Sequence, residues 1–170
     1  MIETKRLTFR KFIQSDLDDL YEYFSDPEVG ESAGWAHHES KDQTQIVLDK
    51  FINDDERFAI VYKCTQKVIG HISFKESIDE NKRSCRELGY AINKSFWNKG
   101  YMTESIQKIT EVLFESDIDL QYIFAECRKD SASERVLNKC DFVFVREGVF
   151  VAKTLPKKYK VNMYMLCREI

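Results

Sequence analysis

Residues 97–103 (WNKGYMT) combine several features that could hold an anion. Gly100 permits a left-handed backbone or the close approach of a ligand. Lys99 adds a positive charge, and Thr103 carries a hydroxyl that could cap a following helix or contact a phosphate oxygen. The first N–H groups of a helix have no internal partner and lie at the positive end of its dipole. Together these features would suit the binding of a diphosphate.

The same stretch also has a purely structural interpretation, in which Gly100 forms a turn and Thr103 is the helix N-cap. Short glycine motifs often match by chance, so the local residues alone favour that interpretation. Neither the Walker A pattern nor GxGxxG occurs here, which excludes two common phosphate loops. Among functional interpretations, a diphosphate held by backbone amides is the best.

Hydrophobic periodicity predicts the elements that must position this stretch: a strand over residues 86–92 before it and a helix over 103–116 after it. It predicts further strands over 6–12, 58–62, 68–74, 121–127, 142–150 and 161–167. It predicts helices that run from 15 to the Asp26-Pro27 pair, over 42–51 with Ile46, Val47 and Phe51 inward, and over 132–140. Residues 28–41 are expected to form a loop. This order of elements predicts an α/β domain with a mixed sheet.

Composition limits the function further. The chain has 170 residues without a linker or repeat, so we expect a single domain over residues 1–170. A net charge of −3 argues against a nucleic-acid binder. The absence of a signal peptide or a long apolar run predicts a cytoplasmic protein without a membrane partner. Five cysteines without a CxxC pair predict reduced thiols and no metal site.

Residues 87–115 resemble the acetyl-CoA-binding core of the GNAT N-acetyltransferases, and more narrowly of the RimJ/RimL-type branch. That branch shows a GY strand and then W-G/N-K-G-Y-x-T-E at the helix start. Gly89-Tyr90 and residues 97–104 (WNKGYMTE) match it. Four further segments are similar in the same order: ETKRLTFRKFIQSDLDDLYEYFSDPEV, GWAHHESKDQT, CRKDSASERVLNKCDF and VNMYMLCREI. The resemblance therefore covers nearly the whole chain.

The resemblance implies the GNAT fold, which is a mostly antiparallel central sheet of about seven strands flanked by about four helices. A splay between the fourth and fifth strands, here those of Glu87 and Cys127, would expose strand backbone to the pantetheine arm. The resemblance also implies acetyl-CoA as the cosubstrate. The implied cofactor-binding residues are Ala91, Ile92, Asn93, Asn98, Lys99, Gly100, Tyr101, Met102, Thr103, Asp130 and Ser133.

Acetyl transfer to an amine requires that the amine lose a proton and that the departing sulfur receive one. The resemblance implies Glu87 as the base, acting through water, and Ser133 as the acid. Leu137 stands where many GNAT enzymes have a proton-donating tyrosine, and Ser133 lies one turn earlier on the same helix face. Each residue has a structural alternative. Glu87 could be a solvated strand residue paired with Arg86 or Lys82, and Ser133 could bond only to backbone.

The implied acceptor-side residues are Trp35, His38 and Tyr164. Trp35 and His38 lie in the segment similar to the family's amine-pocket loop, and His38 titrates near neutral pH. The alternative for Trp35 is a ring that anchors its loop on the sheet. The acceptor would be a protein N-terminal amine or a small amine that attacks directly. A covalent route through Cys127 is disfavoured because nothing in the sequence clearly activates its thiolate.

Departures from the family pattern leave a second function open. Met102 replaces a small residue, Asp130 replaces an asparagine, and Leu137 cannot donate a proton. A non-catalytic acyl-CoA-binding or regulatory module of the same fold would keep the glycine turn without turnover. A nucleotide-phosphate binder unrelated to acetyl transfer is disfavoured, since the Walker lysine and a metal-binding acidic strand are missing.

Two other positions carry predictions about the closing part of the chain. Asp141 replaces a helix-ending glycine, and we expect a left-handed backbone there because aspartate tolerates it better than most residues. The closing strands near Phe150 or Val161 could be exposed and support a dimer. The sequence therefore leaves monomer and homodimer as alternatives.

Overall fold

The computed structural model describes residues 2–151 and 158–168. Within these ranges the chain forms eight strands and five α-helices. The elements in chain order are β1 (Ile2–Glu3), β2 (Leu7–Arg10), α1 (Leu17–Phe24), α2 (Pro27–Ala33), α3 (Lys41–Ile52), β3 (Arg57–Tyr62), β4 (Lys67–Ile78), β5 (Ser84–Ile92), α4 (Tyr101–Ser116), β6 (Tyr122–Cys127), α5 (Ala132–Lys139), β7 (Val143–Val151) and β8 (Lys158–Cys167). Short 3-10 helices at Gln14–Asp16 and Lys94–Phe96 precede α1 and α4.

The strands form a sheet with the hydrogen-bonded order β1-β2-β3-β4-β5-β6-β8-β7. Strands β5 and β6 are parallel, whereas β1-β2, β2-β3, β3-β4, β6-β8 and β7-β8 are antiparallel pairs. The predicted mixed, mostly antiparallel sheet is therefore confirmed. The two-residue strand β1 and the helix α2 account for the additional strand and helix.

Helix α2 lies where the sequence analysis expected a loop, so that prediction is wrong. The Asp26 side chain accepts from the Glu28 N–H, and Pro27 occupies the first turn. Gly34 ends the helix with a left-handed φ of 83°. A capping aspartate, an early proline and a terminal glycine are ordinary helix boundary signals. They were present in the sequence, but too few apolar residues separate them to reveal the helix by periodicity.

Two further details of the helices differ from the predictions. Ile46 was expected to point inward in α3, but its side chain is 59% exposed. Thr44 and Leu48, which are four residues apart on one face, are buried instead. Helix α4 begins at Tyr101, two residues earlier than predicted. Thr103 therefore lies within the first turn and is not the N-cap.

The described residues form two compact units. The first unit comprises residues 2–73 and 90–101, and the second comprises 74–89, 102–151 and 158–168. The first unit has a core made of Phe12, Leu20, Tyr23, Phe24, Val29, Leu48, Ala59, Val61, Val68 and Ala91. Buried apolar residues of the second unit include Ile106, Ile109, Ile123, Ala125, Leu137 and Tyr164. That the whole chain is a single domain stays a prediction.

The closing strands differ in exposure. Strand β7 is last in the sheet order and carries exposed apolar side chains, Phe150 among them. Val161 on β8 is buried, so the expectation of an exposed strand near it is wrong. The choice between monomer and homodimer stays a prediction. Across the described ranges, no helix combines the length and apolar character needed to cross a bilayer.

Candidate active site

The glycine turn before α4 has the left-handed backbone that its sequence suggested. Asn98 has a φ of 57° and Gly100 a φ of 78°. A Cβ added at Gly100 would meet Arg6 Nη2 at 3.6 Å, which is an ordinary contact. Glycine is therefore required here by backbone conformation and not by lack of space. Trp97 secures the start of the turn, because its Nε1 donates to the Ile92 carbonyl at 2.8 Å.

Lys99 is held within its own turn. Its Nζ donates to the Ser95 carbonyl at 2.8 Å and lies 5.7 Å from the centre of the Phe96 ring. The ammonium adds positive charge beside the turn, but it would have to leave these partners to reach a ligand directly. Met102 follows the turn and is buried. Its side chain is therefore largely shielded from solvent.

Asn93 makes hydrogen bonds within the protein through both its backbone and its side chain. Its N–H donates to the Ile69 carbonyl at 2.8 Å, and its Nδ2 donates to Glu22 at 2.8 Å. The register of β3 and β4 shifts at Ile69, which leaves this residue between the paired positions Val68 and Gly70. The Asn93 N–H therefore already has an acceptor on β4, and a contact between Asn93 and the pantetheine arm stays a prediction.

The backbones of β4 and β5 also approach each other closely within the first unit. A Cβ added at Gly70 would lie 2.4 Å from the Ala91 carbonyl oxygen and 2.9 Å from the Ile92 Cα. Any larger residue would push β5 away at these two positions. Gly70 therefore helps to fix the strand segment that leads into the glycine turn.

Trp35 and His38 both pack against Phe24 in the first unit. The Trp35 and Phe24 rings stack with centres 4.7 Å apart and an interplanar angle of 13°. The Trp35 Nε1 is buried and has no hydrogen-bond partner within the described ranges. A Cβ at Gly30 would lie 2.9 Å from the Trp35 carbonyl oxygen, so a glycine lets this loop sit close to α2. These contacts support the anchoring interpretation of Trp35.

The imidazole of His38 is also held by the protein. Its Nδ1 lies 2.8 Å from the Thr44 hydroxyl, and its backbone N–H donates to the Phe24 carbonyl at 2.9 Å. Burial lowers the pKa of His38, and the neighbouring His37 lowers it further. The ring therefore stays neutral more readily than a free histidine. Neutral imidazole can accept a proton, but this one is already partly committed to Thr44.

The sequence analysis missed a second histidine in this group. His71 on β4 is buried, with Nδ1 3.0 Å from the Tyr23 hydroxyl and its ring centre 6.0 Å from that of Trp35. Burial lowers the pKa of His71 well below its ordinary value. His71 is a polar residue in an otherwise apolar stretch of β4, and this was the only sequence signal that could have identified it.

Glu87 lies at the last paired position of β5 and β6 in the second unit. Their parallel pairing runs from Cys85 opposite Tyr122 to Glu87 opposite Phe124. It ends there although both strands continue, which agrees with the predicted splay. The Glu87 side chain is exposed and makes no hydrogen bond or ion pair with any described residue. Arg86 instead pairs with Asp117 at 3.3 Å, so the predicted structural pairing of Glu87 is absent from the described part.

Asp130 and Tyr164 are brought together in the second unit through Glu134, which the sequence analysis missed. The Glu134 carboxylate accepts from the Asp130 N–H and from the Tyr164 hydroxyl. It also accepts from Asn162 Nδ2 at 3.3 Å. Ser133 is half-buried in the first turn of α5 and precedes Glu134 in the chain. The signal was available, since Glu134 stands three residues after a capping serine, as in a capping box.

The start of α5 is closed by side chains. Ser131 is the N-cap, and its hydroxyl accepts from the Glu134 N–H at 3.1 Å. Asp130 precedes it with a left-handed φ of 59°. The hydrogen bond from the Tyr164 hydroxyl lowers the pKa of Glu134, and burial opposes this effect. The same bond, with burial second, raises the pKa of Tyr164 to about 12.

Two buried cysteines of the second unit are poor nucleophiles. Burial raises the pKa of Cys127 to about 11 and that of Cys140 to about 11. Both thiols are therefore protonated at neutral pH. Asp141, which follows Cys140, has the expected left-handed φ of 63°. Within the ranges described, no group of three or more His, Cys, Asp or Glu residues could hold a metal ion.

The mixed sheet, its short parallel pair and the left-handed glycine turn before a long helix are the features that the resemblance to the GNAT acetyltransferases predicted. Residues 6–143 match the family model described as acetyltransferase (GNAT) domain, and the chain belongs to this family. The resemblance stated from the sequence is thereby confirmed.

Similar proteins agree with this assignment. The chain is 32% identical over 168 residues to the uncharacterized N-acetyltransferase p20 of Bacillus licheniformis, covering 95% of this chain and 92% of that protein. The crystal structure of a GNAT-family acetyltransferase from Bacillus anthracis has a TM-score of 0.81 at 25% identity, covering 98% and 97% of the two chains. The chain is therefore an acetyltransferase, and the non-catalytic alternative loses its support.

The RimJ/RimL-type likeness is visible in the fold. The structure of RimL, a ribosomal L7/L12 alpha-N-protein acetyltransferase solved with coenzyme A, has a TM-score of 0.78. Its identity is 18%, and the match covers 96% of this chain and 95% of RimL. At this identity the comparison establishes the shared fold.

Proposed function

We propose that this acetyltransferase moves an acetyl group from acetyl-CoA to a primary amine by direct attack of the amine. The observation that carries the proposal is Glu87, an exposed carboxylate without a partner in the described ranges, at the point where β5 and β6 part. A carboxylate that no other described residue holds is open to a water or an amine. Glu87 therefore remains our candidate for the base.

Acetyl-CoA supplies an activated acetyl group on a sulfur leaving group. In our proposal its diphosphate lies on the turn and first helix residues, and its pantetheine arm lies along β5. The residues assigned to these contacts are Ala91, Ile92, Asn93, Asn98, Lys99, Gly100, Tyr101, Met102, Thr103, Asp130 and Ser133. The left-handed turn before α4 supports this assignment, because α4 begins directly after a residue without a side chain.

Proton movements are assigned to two residues of the second unit. Glu87 accepts a proton from the amine through a water, and the Ser133 hydroxyl provides a proton for the departing sulfur. Such general acid–base help contributes roughly 10²–10⁴-fold to a rate. The direct route is supported by Cys127, because a thiol with its pKa raised to about 11 is a weak nucleophile at neutral pH.

The acceptor is proposed to be a protein N-terminal amine or a small amine, with Trp35, His38 and Tyr164 on the acceptor side. RimL is itself a protein N-terminal acetyltransferase, which supports the first class. The pKa of Tyr164, raised to about 12, keeps its hydroxyl protonated and able to orient a neighbour. We expect the reaction to occur in the cytoplasm, without a nucleic-acid or membrane partner, in a monomer or homodimer.

The test is a free-CoA release assay with acetyl-CoA, peptides of varied N-termini and a panel of small amines. We expect amine-dependent turnover, with kcat lowered at least about 100-fold in Glu87→Gln and by a smaller factor in Ser133→Ala. Glu147→Gln, which alters an exposed glutamate on β7, is the matched control and should keep wild-type turnover. Wild-type turnover in Glu87→Gln would falsify the assignment of the base. Stoichiometric acetylation of Cys127 that precedes amine acetylation would contradict direct attack.

A further inference from the structure

Arg6 lies against the glycine turn, although the sequence analysis gave it no role. Its Nη1 donates to the Lys99 carbonyl at 3.0 Å, across 93 positions of sequence. Its guanidinium carbon lies 4.2 Å from the centre of the Tyr101 ring, an ordinary cation–π distance. All these residues belong to the first unit. One side chain therefore contacts the residues on both sides of Gly100.

The bond to Lys99 has a direct consequence for the next peptide group. The C=O and N–H of a trans peptide point in opposite directions within one plane. When Arg6 holds the Lys99 carbonyl, the Gly100 N–H is turned to the opposite side. A glycine with a φ of 78° has few steric restraints of its own, so an external contact is needed to fix this peptide.

The support for this contact is itself well anchored. The Arg6 carbonyl accepts from the Lys63 N–H at 3.0 Å, and the Arg6 N–H donates to the Thr4 hydroxyl at 3.3 Å. Tyr101 packs edge-on against Tyr62 and Phe96, with ring centres 5.4 and 5.7 Å apart. The guanidinium is thus held between a fixed backbone and a fixed ring, which reduces the entropy lost when a ligand binds the turn.

We propose that Arg6 is a positioning residue for the diphosphate of acetyl-CoA, acting by orienting the Gly100 N–H. This inference rests on the proposed function, which puts the diphosphate at the turn. The fixed charge of Arg6 also lies within a Debye length, about 8 Å at physiological ionic strength, of an anion bound at Gly100. Orientation is the main effect, because the hydrogen bond places the carbonyl between the guanidinium and the N–H.

The test measures binding by calorimetry with three ligands: CoA, dephospho-CoA, which keeps the diphosphate, and pantetheine, which lacks both of its phosphates. Arg6→Ala should raise the Kd for CoA and dephospho-CoA about tenfold to a hundredfold, as for a lost charge-assisted hydrogen bond. The Kd for pantetheine should change less than about twofold. Lys5→Ala removes a neighbouring exposed charge and should leave all three values unchanged.

Two more variants separate orientation from charge. Arg6→Gln keeps an N–H donor without charge, and Arg6→Lys keeps the charge without the planar fork. Orientation predicts that glutamine restores more affinity than lysine. Rescue by lysine alone would overturn the orientation mechanism, and an equal loss for all three ligands would show a merely structural role.

The outcomes also separate this inference from the proposed function. If the wild-type protein binds none of the three ligands, the proposed acetyl-CoA site is itself wrong. A wild type that binds CoA, beside an Arg6→Ala variant with equal affinity and equal melting temperature, would contradict only the role of Arg6.

Discussion

The helices α4 and α5 both follow residues in left-handed conformation, yet their first turns are completed differently. Before α5, Ser131 accepts from the Glu134 N–H, and the Glu134 carboxylate accepts from the Asp130 N–H. Before α4 stands Gly100, which has no side chain to accept from any amide. The start of α5 is therefore closed by its own polar groups, whereas that of α4 relies on neighbours that hold the turn from outside.

The difference separates a helix start whose early amides are occupied by side chains from one that we assign to the diphosphate. A capped helix has its early amides occupied and its dipole partly compensated. A helix that begins directly after glycine has no capping side chain at that position. Around α4 the supporting groups are the guanidinium of Arg6 and the aromatic rings of Tyr62, Phe96 and Tyr101. Substitutions at four positions, Tyr101, Glu134, Gly100 and Ser131, test this contrast between the start of α4 and the start of α5.

The largest effect is expected at Tyr101. Its side chain is 7% exposed and contacts Tyr62, Phe96 and Arg6, so Tyr101→Ala removes the ring that supports the turn. We expect the free energy of unfolding to fall by about 3–5 kcal/mol, as for other buried aromatic truncations. Urea unfolding measures the change. Tyr101→Phe keeps the ring and should lose less than half as much. A loss below about 1 kcal/mol in Tyr101→Ala would show that the aromatic support is dispensable.

These supports also mark the limit of prediction from sequence. Strands and helices followed from periodicity, and the Gly100 turn followed from a local motif together with the family resemblance. The Arg6 contact did not, because it joins residues 93 positions apart. The hydrogen bond from the Asn93 N–H goes to the carbonyl of Ile69, where the register of β3 and β4 shifts. The sequence does not show this register. Local patterns report local structure, and these contacts depend on which strands and turns become neighbours.

At α5 the intermediate effect is expected from Glu134. Glu134→Ala leaves the Tyr164 hydroxyl, the Asn162 amide and the Asp130 N–H without their acceptor. We expect the free energy of unfolding to fall by about 2 kcal/mol, as for hydrogen bonds to a charged group. Glu134→Gln keeps one acceptor oxygen and should lose about half as much. Equal stability of the alanine variant and the wild type would show that the carboxylate does not hold α5.

The contribution of Glu134 has a defined pH range. Its pKa is lowered in the folded protein, so the folded state binds a proton less readily than the unfolded state. The stabilisation is therefore complete above the unfolded pKa of about 4.3 and is lost as the pH falls through the folded pKa. The difference in unfolding free energy between wild type and Glu134→Gln should shrink over this range. A difference that stays constant down to strongly acidic pH would argue against an ionised carboxylate here.

The pair of substitutions with the smallest expected loss of stability distinguishes the two helix starts most clearly, through their affinity for CoA. Gly100→Ala forces a side chain into a φ of 78°, and Ser131→Ala removes an N-cap. Each should cost about 1 kcal/mol of unfolding free energy. Their effects on CoA should differ, because only the first alters the turn that we assign to the diphosphate. We expect calorimetry to show a Kd for CoA raised about tenfold in Gly100→Ala and unchanged in Ser131→Ala. Equal losses in the two variants would mean that the helix starts do not differ in function, since stability alone would then explain both.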